Sequence, residues 1–416
     1  MQAQHWPTFL IDLLPQGFGR QELLRRLGIP VTAGASAEWK LLLAGAGNAI
    51  GNLRVRDAAE WLAMNSGGRR GVPDDEVAQR ADEFSEYLAS HGLFVAGSFG
   101  VQGEWPKVLL TRADDGLLYL DHTLPEERAV EHFIVKFGRG TDPQLASILR
   151  HEAPYMDIAA RLGLRVHAPL ALRQRALFIP RFDRQAKDGR VTRLAQESVA
   201  TLTGIPGFDT VPSHDQVCPS LLRHCGDPQA EVLEYIKRDV ANLALGNKDN
   251  HAHNTAIRRN FDGNIALTPL YDFAPTYLHP DGIARRIRWE NNDNGLPNLT
   301  LVLDRICELD AGLSTQGRKK ASPRMRREAL VEGLKPMAIA LEQVADDGER
   351  IGLDTEVIRH LRPGILGWSK QLAALGLGSW TNASPLPCPN NSRCASRRST
   401  MCLPIRNGRW YRQSGT

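Results

Sequence analysis

Apolar positions along this chain repeat with a helical period up to about residue 90 and with a strand period after it. In the first stretch, Gln21-Glu22-Leu23-Leu24-Arg25-Arg26-Leu27-Gly28 predicts a short helix stopped by glycine. Residues 57–64 predict a second helix and 76–91 a third, with the turn-rich 66–75 between them. Beyond residue 90, runs at 107–111, 117–120 and 132–137 are separated by turn residues such as Asp114-Asp115-Gly116. They predict a small antiparallel sheet, with Gly92, Gly97, Gly100 and Gly103 forming a glycine-rich loop at its start.

Asp142-Pro143 is a helix start, and the apolar spacing runs on to Gly163, with an interruption expected at Pro154. Residues 176–182 read as a further strand. From about 190 to 375 the period is mainly helical. Asp227-Pro228 opens a strong helix carrying Val232, Ile236, Val240 and Leu243 on one face, and a hairpin follows over 255–268. The tail after Trp380 is rich in Pro, Ser, Asn and Arg and predicts disorder. The layout is α+β: a helical N-terminal appendage (1–90), a small lobe with the glycine loop and sheet (91–185), a helical large lobe (186–376) and a basic tail (377–416).

Composition narrows the class. The 416 residues are 42% apolar and 24% charged, ordinary for a globular chain and enough for two or three domains. Neither a membrane-spanning run nor a signal peptide is visible, which predicts a cytoplasmic protein. The six Arg after residue 381 meet no Asp or Glu, and without them the net charge of +4 becomes −2. The folded part is therefore not a basic nucleic-acid binder by composition. The six cysteines form no CxxC pair and read as reduced thiols, with a zinc site in the C-x5-C-x7-C of the tail as a minor alternative.

The chemistry lies after the strong helix, in Gly246-Asn247-Lys248-Asp249-Asn250-His251-Ala252-His253-Asn254, with Asp272 eighteen residues beyond Asn254. Phosphoryl transfer from ATP needs one carboxylate to take the proton of the attacking hydroxyl. It also needs an amide oxygen and a second carboxylate to hold Mg²⁺ on the phosphates. A D-x4-N turn supplies the first two, and the hairpin returns Asp272 to the same ion. Lys136, inside Phe133-Ile134-Val135-Lys136-Phe137, is an odd core residue unless an anion pairs with it. Upstream, Gly97-Ser98-Phe99-Gly100-Val101-Gln102-Gly103 lets backbone N–H groups approach phosphate. Loop, lysine, D-x4-N and Asp follow in the order of protein-kinase parts.

These residues resemble the HipA family of bacterial serine/threonine kinases, the toxin half of toxin–antitoxin pairs. The resemblance rests on Ile134-Val135-Lys136-Phe137, Arg181-Phe182-Asp183-Arg184, Asp249-Asn250-His251-Ala252-His253-Asn254 and Leu270-Tyr271-Asp272. In the usual D-G-H-A-K-N loop, Asn250 here replaces Gly and His253 replaces Lys. The resemblance implies a two-lobed protein kinase-like fold binding ATP and Mg²⁺ in its cleft. It makes Asp249 the catalytic base, Asn254 and Asp272 the Mg²⁺ ligands, and Lys136 the phosphate-binding lysine. His251 and Phe182 become nucleotide contacts, and Glu152 the helix glutamate that pairs with Lys136. Ser98 falls where family members carry an autophosphorylated serine, whose phosphate would expel nucleotide. It also implies a protein acceptor, with aminoacyl-tRNA synthetases among those modified in the family, and an antitoxin partner.

Other readings stay open on the residues alone. His251 and His253 form an H-x-H suited to a zinc or iron hydrolase. A silent kinase-like module would act only through a partner. The helix at 20–27 fits part of a helix-turn-helix of a nucleic-acid-associated regulator.

Overall fold

The computed structural model describes residues 6–15, 17–30, 35–64, 67–90, 105–138, 141–205, 211–313 and 323–376. A 3-10 turn, Thr8–Leu13, precedes helices α1 (Gly17–Arg26), α2 (Ala35–Gly45), α3 (Arg56–Met64), α4 (Asp74–Gln79) and α5 (Asp82–Ser90). The 76–91 run, expected as one helix, is two. Arg80 turns to φ 53° and closes α4 by donating its backbone N–H to the carbonyls of Glu76 and Val77. The apolar end of α2, Leu41-Leu42-Leu43-Ala44, shows no period and gave no sequence prediction.

Five antiparallel strands follow, β1 (Lys107–Ala113), β2 (Leu118–Leu120), β3 (Ala129–Phe137), β4 (Ala171–Arg173) and β5 (Ala176–Pro180), ordered β2-β1-β3-β5-β4. Strand alternation sends Phe133, Val135 and Phe137 of β3 into a core shared with Leu23, Leu41 and Phe84 of the N-terminal helices. Those helices thus have no core separate from the sheet. Ile134 and Lys136 point to the opposite face.

Helix α6 (Pro143–Arg161) connects β3 to β4. It is capped by Asp142, whose carboxylate accepts from the backbone N–H groups of Gln144 and Leu145. It runs through Pro154, where an interruption was expected. The proline ring lodges against Gly352, which has φ +110° and no side chain to obstruct it.

The remainder contains short strands the helical period hid. A hairpin of β6 (Arg184–Lys187) and β7 (Arg190–Arg193) turns at Asp188-Gly189, both with positive φ. Strand β8 (Ala195–Ser198) joins the expected hairpin of β9 (Ala256–Arg259) and β10 (Ile265–Leu267) in a sheet ordered β10-β9-β8. Helices α7 (Val199–Leu202), α8 (His214–His224), α9 (Pro228–Ala244), α10 (Leu299–Gly312), α11 (Pro323–Ile351) and α12 (Thr355–Ala373) enclose a second core around Tyr155, Val217, Ile236, Phe273, Leu341 and Trp368. No helix among the described residues is long and apolar enough to cross a membrane.

The Arg181-Phe182-Asp183-Arg184 segment is a buried ionic hub. Arg181 donates to both Asp183 oxygens (2.9 and 2.7 Å), and Arg184 donates to Asp183 Oδ2 (2.7 Å) and to the carbonyls of Gly51 and Ala49. Burial pushes the Asp183 carboxyl up, but Arg181 and Arg184 hold it below its ordinary value. Its contribution to stability is therefore present above the unfolded carboxylate pKa, near 4, and is lost as pH falls through the lower folded value. Asp183→Ala takes the shared anion from two buried guanidinium groups, leaving Arg181 its longer 3.5 Å pairing with Asp121, and is expected to cost about 3–5 kcal/mol. Thermal unfolding at pH 7 checks this, and the gap from wild type should narrow below pH 4.

Candidate active site

Strand β3 places Lys136 directly opposite Lys107 of β1. Two like charges side by side in a sheet repel unless an anion lies between them. Asp272 is that anion. Its Oδ1 accepts from Lys136 Nζ at 3.1 Å and its Oδ2 from Lys107 Nζ at 3.4 Å. Lys136 also donates to Glu152 of α6 at 2.6 Å, and the Trp105 ring lies 5.4 Å from its Nζ. Burial opposes the charge on Lys136, yet Glu152 and Asp272 raise its ammonium above the ordinary lysine value. Burial likewise pushes the Asp272 carboxyl up, but Lys107 and Lys136 hold it well below the carboxylate range. Glu152 is driven upward by complete burial, against Lys136 and with Asp272, and its Oε1 has no hydrogen-bond partner.

Asp272 has φ 50°, a conformation side chains seldom adopt and Asp tolerates better than most. Phe273, fully buried and 5.3 Å from the Tyr155 ring, anchors the turn that aims the carboxylate at the two lysines.

The loop after α9 is tied down from below. Gly246 has φ +66°, and a side chain there would strike the Tyr277 ring. Thr276 Oγ1 accepts from the backbone N–H groups of Lys248 (2.7 Å) and Asp249 (3.0 Å) and donates to Asn247 Oδ1. Asn254 Nδ2 donates to the Asp249 carbonyl at 2.9 Å, so the two ends of the D-x4-N turn are stapled together. Asn250 clasps a neighbouring segment: its Oδ1 accepts from Arg286 N–H and its Nδ2 donates to the Ile287 carbonyl. His251 Nε2 lies 3.7 Å from Asp249 Oδ1. Burial lowers the His251 pKa, Asp249 opposing, so the ring is neutral at pH 7.

These groups surround two adjoining hollows. The larger, about 130 Å³, is lined by apolar and aromatic side chains including Ile134, Ile179, Phe182 and Tyr271, and by the polar Lys107, Glu152, Asn254 and Asp272. Phe182 sits just past β5, 6.1 Å from the Tyr271 ring. The smaller hollow is lined by Asp249, Asn250, Asn254 and Asp272. Asn254, Tyr271 and Asp272 therefore border both, while Asp249 lines the smaller one alone.

The structure thus brings together Lys136, Phe182, Asp249, His251, Asn254 and Asp272. Glu152 meets Lys136 because α6 is unbroken at Pro154. Gly97, Ser98, Gly100 and Gly103 lie outside the described residues. Lys107 was not anticipated, since its place opposite Lys136 follows from strand register, which the sequence does not display.

The donors fit a magnesium ion, which takes hard oxygen ligands and keeps several waters. Asp272 supplies a carboxylate whose ionised form Lys107 and Lys136 favour. Asn254, with Nδ2 engaged by the Asp249 carbonyl, has its amide oxygen left for a cation. A closed zinc or iron site fits less well: His251 leans on Asp249, His253 bonds Asp12, and no cluster of three His, Cys, Asp or Glu suited to a metal occurs among the described residues.

Comparison with known proteins adds the family. The model of the HipA-like C-terminal domain matches residues 99–332, more than half of the chain. The chain belongs to the HipA-like family. A Sinorhizobium fredii (strain NBRC 101917 / NGR234) protein named "Putative kinase Y4mE" is 29% identical over 236 residues, 53% of this chain and 52% of that protein. The chain thus spans about half the length of the curated relative it matches. Among solved structures, HipA of Shewanella oneidensis MR-1, in complex with HipB and its operator DNA, superposes with a TM-score of 0.58 at 20% identity. That match covers 88% of this chain and 84% of the HipA chain, a likeness of fold. The α+β, HipA-like fold expected from the sequence is the one found.

Proposed function

We propose that this chain is an ATP- and Mg²⁺-dependent serine/threonine protein kinase of HipA type. The reading is carried by the buried Lys136–Glu152–Asp272 bridge, whose Glu152 and Asp272 line the larger hollow with Asn254, while Asp249 lines the smaller hollow that shares Asn254 and Asp272. ATP would lie in the larger hollow, its adenine toward Phe182 and Tyr271 and its phosphates toward Lys136 and Asp272. Asn254 and Asp272 would hold Mg²⁺, which would neutralise charge on the phosphates. The acceptor enters from the Asp249 side. Its hydroxyl passes its proton to Asp249 while its oxygen bonds the γ-phosphorus. The bond from that phosphorus to the bridging oxygen breaks, and ADP leaves. His251, neutral beside Asp249, orients that carboxylate.

The family resemblance extends the reading to a protein acceptor, an antitoxin partner and Ser98 as an autophosphorylation site. The Shewanella HipA, which occurs with HipB, supports the partner. Incubation of the full chain with γ-labelled ATP and a cell lysate, followed by phosphosite mapping, is the test. Label on Ser or Thr, abolished by EDTA, is expected. Absence of protein-bound label with Mg²⁺ present rejects the reading.

A further inference from the structure

The smaller hollow, which Asp249 lines, is bordered by a segment that is neither helix nor strand. In residues 283–289, Ile287 and Trp289 are buried while Arg286 and Arg288 between them are exposed. Asn250 clasps this strip through the Arg286 N–H and the Ile287 carbonyl, one residue after the carboxylate assigned as base. Glycine, which the usual family loop carries there, has no side chain to make that clasp. The His214 N–H holds the Arg288 carbonyl at 3.0 Å. Trp289 stacks on the His214 ring at 4.8 Å and donates Nε1–H to Asp239. Ile287 lines the smaller hollow together with Asp249. The strip is therefore fixed relative to Asp249, and its charged side chains are left to solvent.

Lys248, immediately before Asp249, is exposed as well. Among the described residues, none of these three cations forms an ion pair; Arg288 Nε donates to the Arg285 carbonyl at 3.3 Å. The acids nearby are engaged elsewhere. Asp239 and Asp293 hold Arg285, and Glu290 accepts from Ser213 Oγ. Burial lowers the His251 pKa most, and the charge of Arg286 adds to it, so that guanidinium acts on the ring beside Asp249. We propose that this strip is the acceptor-docking surface and that the protein acceptor carries aspartate or glutamate flanking the modified serine or threonine. The inference rests on the kinase reading above and names the substrate class of that same site. A polypeptide with its hydroxyl at Asp249 would bring the residues on either side of that hydroxyl to Lys248, Arg286 and Arg288. Carboxylates there find partners, whereas lysine or arginine meets like charge. Exposed pairs of this kind are individually weak and screened by salt, so selectivity comes from several acting together.

The test uses the full chain with Mg²⁺, γ-labelled ATP and three synthetic peptides at low ionic strength. Each peptide has one central serine, flanked on both sides by glutamate, by glutamine or by lysine. Wild type is expected to use the glutamate peptide about tenfold better in kcat/KM than the glutamine peptide, and the lysine peptide worst. Arg286→Gln/Arg288→Gln should abolish that preference, and Arg286→Glu/Arg288→Glu should reverse it toward lysine. KM for Mg²⁺·ATP should move less than about twofold in both. Reversal is a readout that a merely structural role does not give. Should a double variant fail to fold by circular dichroism, the single Arg286→Glu takes its place. A wild type indifferent to the flanks, or a charge-reversed form with unchanged preference, overturns the proposal. So does an equal loss on all three peptides with a raised KM for ATP, which would assign the arginines to the nucleotide. Label that appears in a cell lysate but on none of the peptides also overturns it. Absence of label in the lysate as well would instead defeat the kinase reading itself, a separate and recognisable failure.

Discussion

Asp249→Ala is expected to slow phosphoryl transfer about a thousandfold while leaving thermal unfolding unchanged and Mg²⁺·ATP affinity within about threefold. The reason is the division of labour within the turn. What holds the loop is backbone and neighbouring side chains: the Asp249 N–H bonds Thr276, and the Asp249 carbonyl bonds Asn254. Both survive removal of the carboxylate. The side chain itself is 39% exposed and faces the smaller hollow, so its loss creates no buried vacancy. Only the proton acceptor proposed for the attacking hydroxyl is removed. Initial rates with labelled ATP, beside a melting curve, measure both halves. A variant retaining more than a tenth of the wild-type rate would remove Asp249 from the role of base.

Lys136→Met should do the opposite and damage both stability and chemistry. Lys136 is the sole described hydrogen-bond donor to Glu152, and it shares Asp272 with Lys107. Taking it away strands a fully buried carboxylate, at a cost of about 3–5 kcal/mol. Glu152, pushed upward by burial even now, would bind a proton in the variant. A carboxyl whose folded pKa exceeds its unfolded value loses stability as pH rises above the unfolded value. The variant should therefore weaken as pH rises above the unfolded glutamate value, near 4. Adding Glu152→Gln removes the stranded charge. Lys136→Met/Glu152→Gln is expected to regain most of the stability in denaturant titrations while remaining unable to bind ATP tightly. Recovery of nucleotide affinity along with stability would show that the lysine is structural only.

Much of this was legible in the sequence because the chemistry is written in local patterns. An apolar run interrupted by one lysine, an Asp and an Asn five residues apart, and an Asp after a hairpin are all visible without coordinates. The same holds for the Asp227-Pro228 helix and for the two strands before Lys136 and the third that carries it, whose periods are clean. What stayed hidden depends on register or on distant segments. Lys107 matters only because β1 sets it opposite Lys136. Strand β8 has four residues of mixed polarity and gains its identity by pairing with β9. Pro154 looks like a break until Gly352 offers it room. Asp12 lies 241 residues from His253, and no spacing rule connects them. The Arg181-Phe182-Asp183-Arg184 segment was legible as a motif, while its role as a tie between the sheet and residues 49–51 required the structure.

The central claim is that Asp272 and Asn254 hold a divalent ion against a triphosphate anchored by Lys136, with Asp249 across from it. A crystal structure of the full chain with Mg²⁺ and AMP-PNP tests it most directly. The expected result is a metal bonded to Asp272 and the Asn254 amide oxygen, phosphates within hydrogen-bond reach of Lys136, and adenine beside Phe182. A nucleotide lodged elsewhere, or in the larger hollow with its phosphates turned away from Asp272, would contradict it.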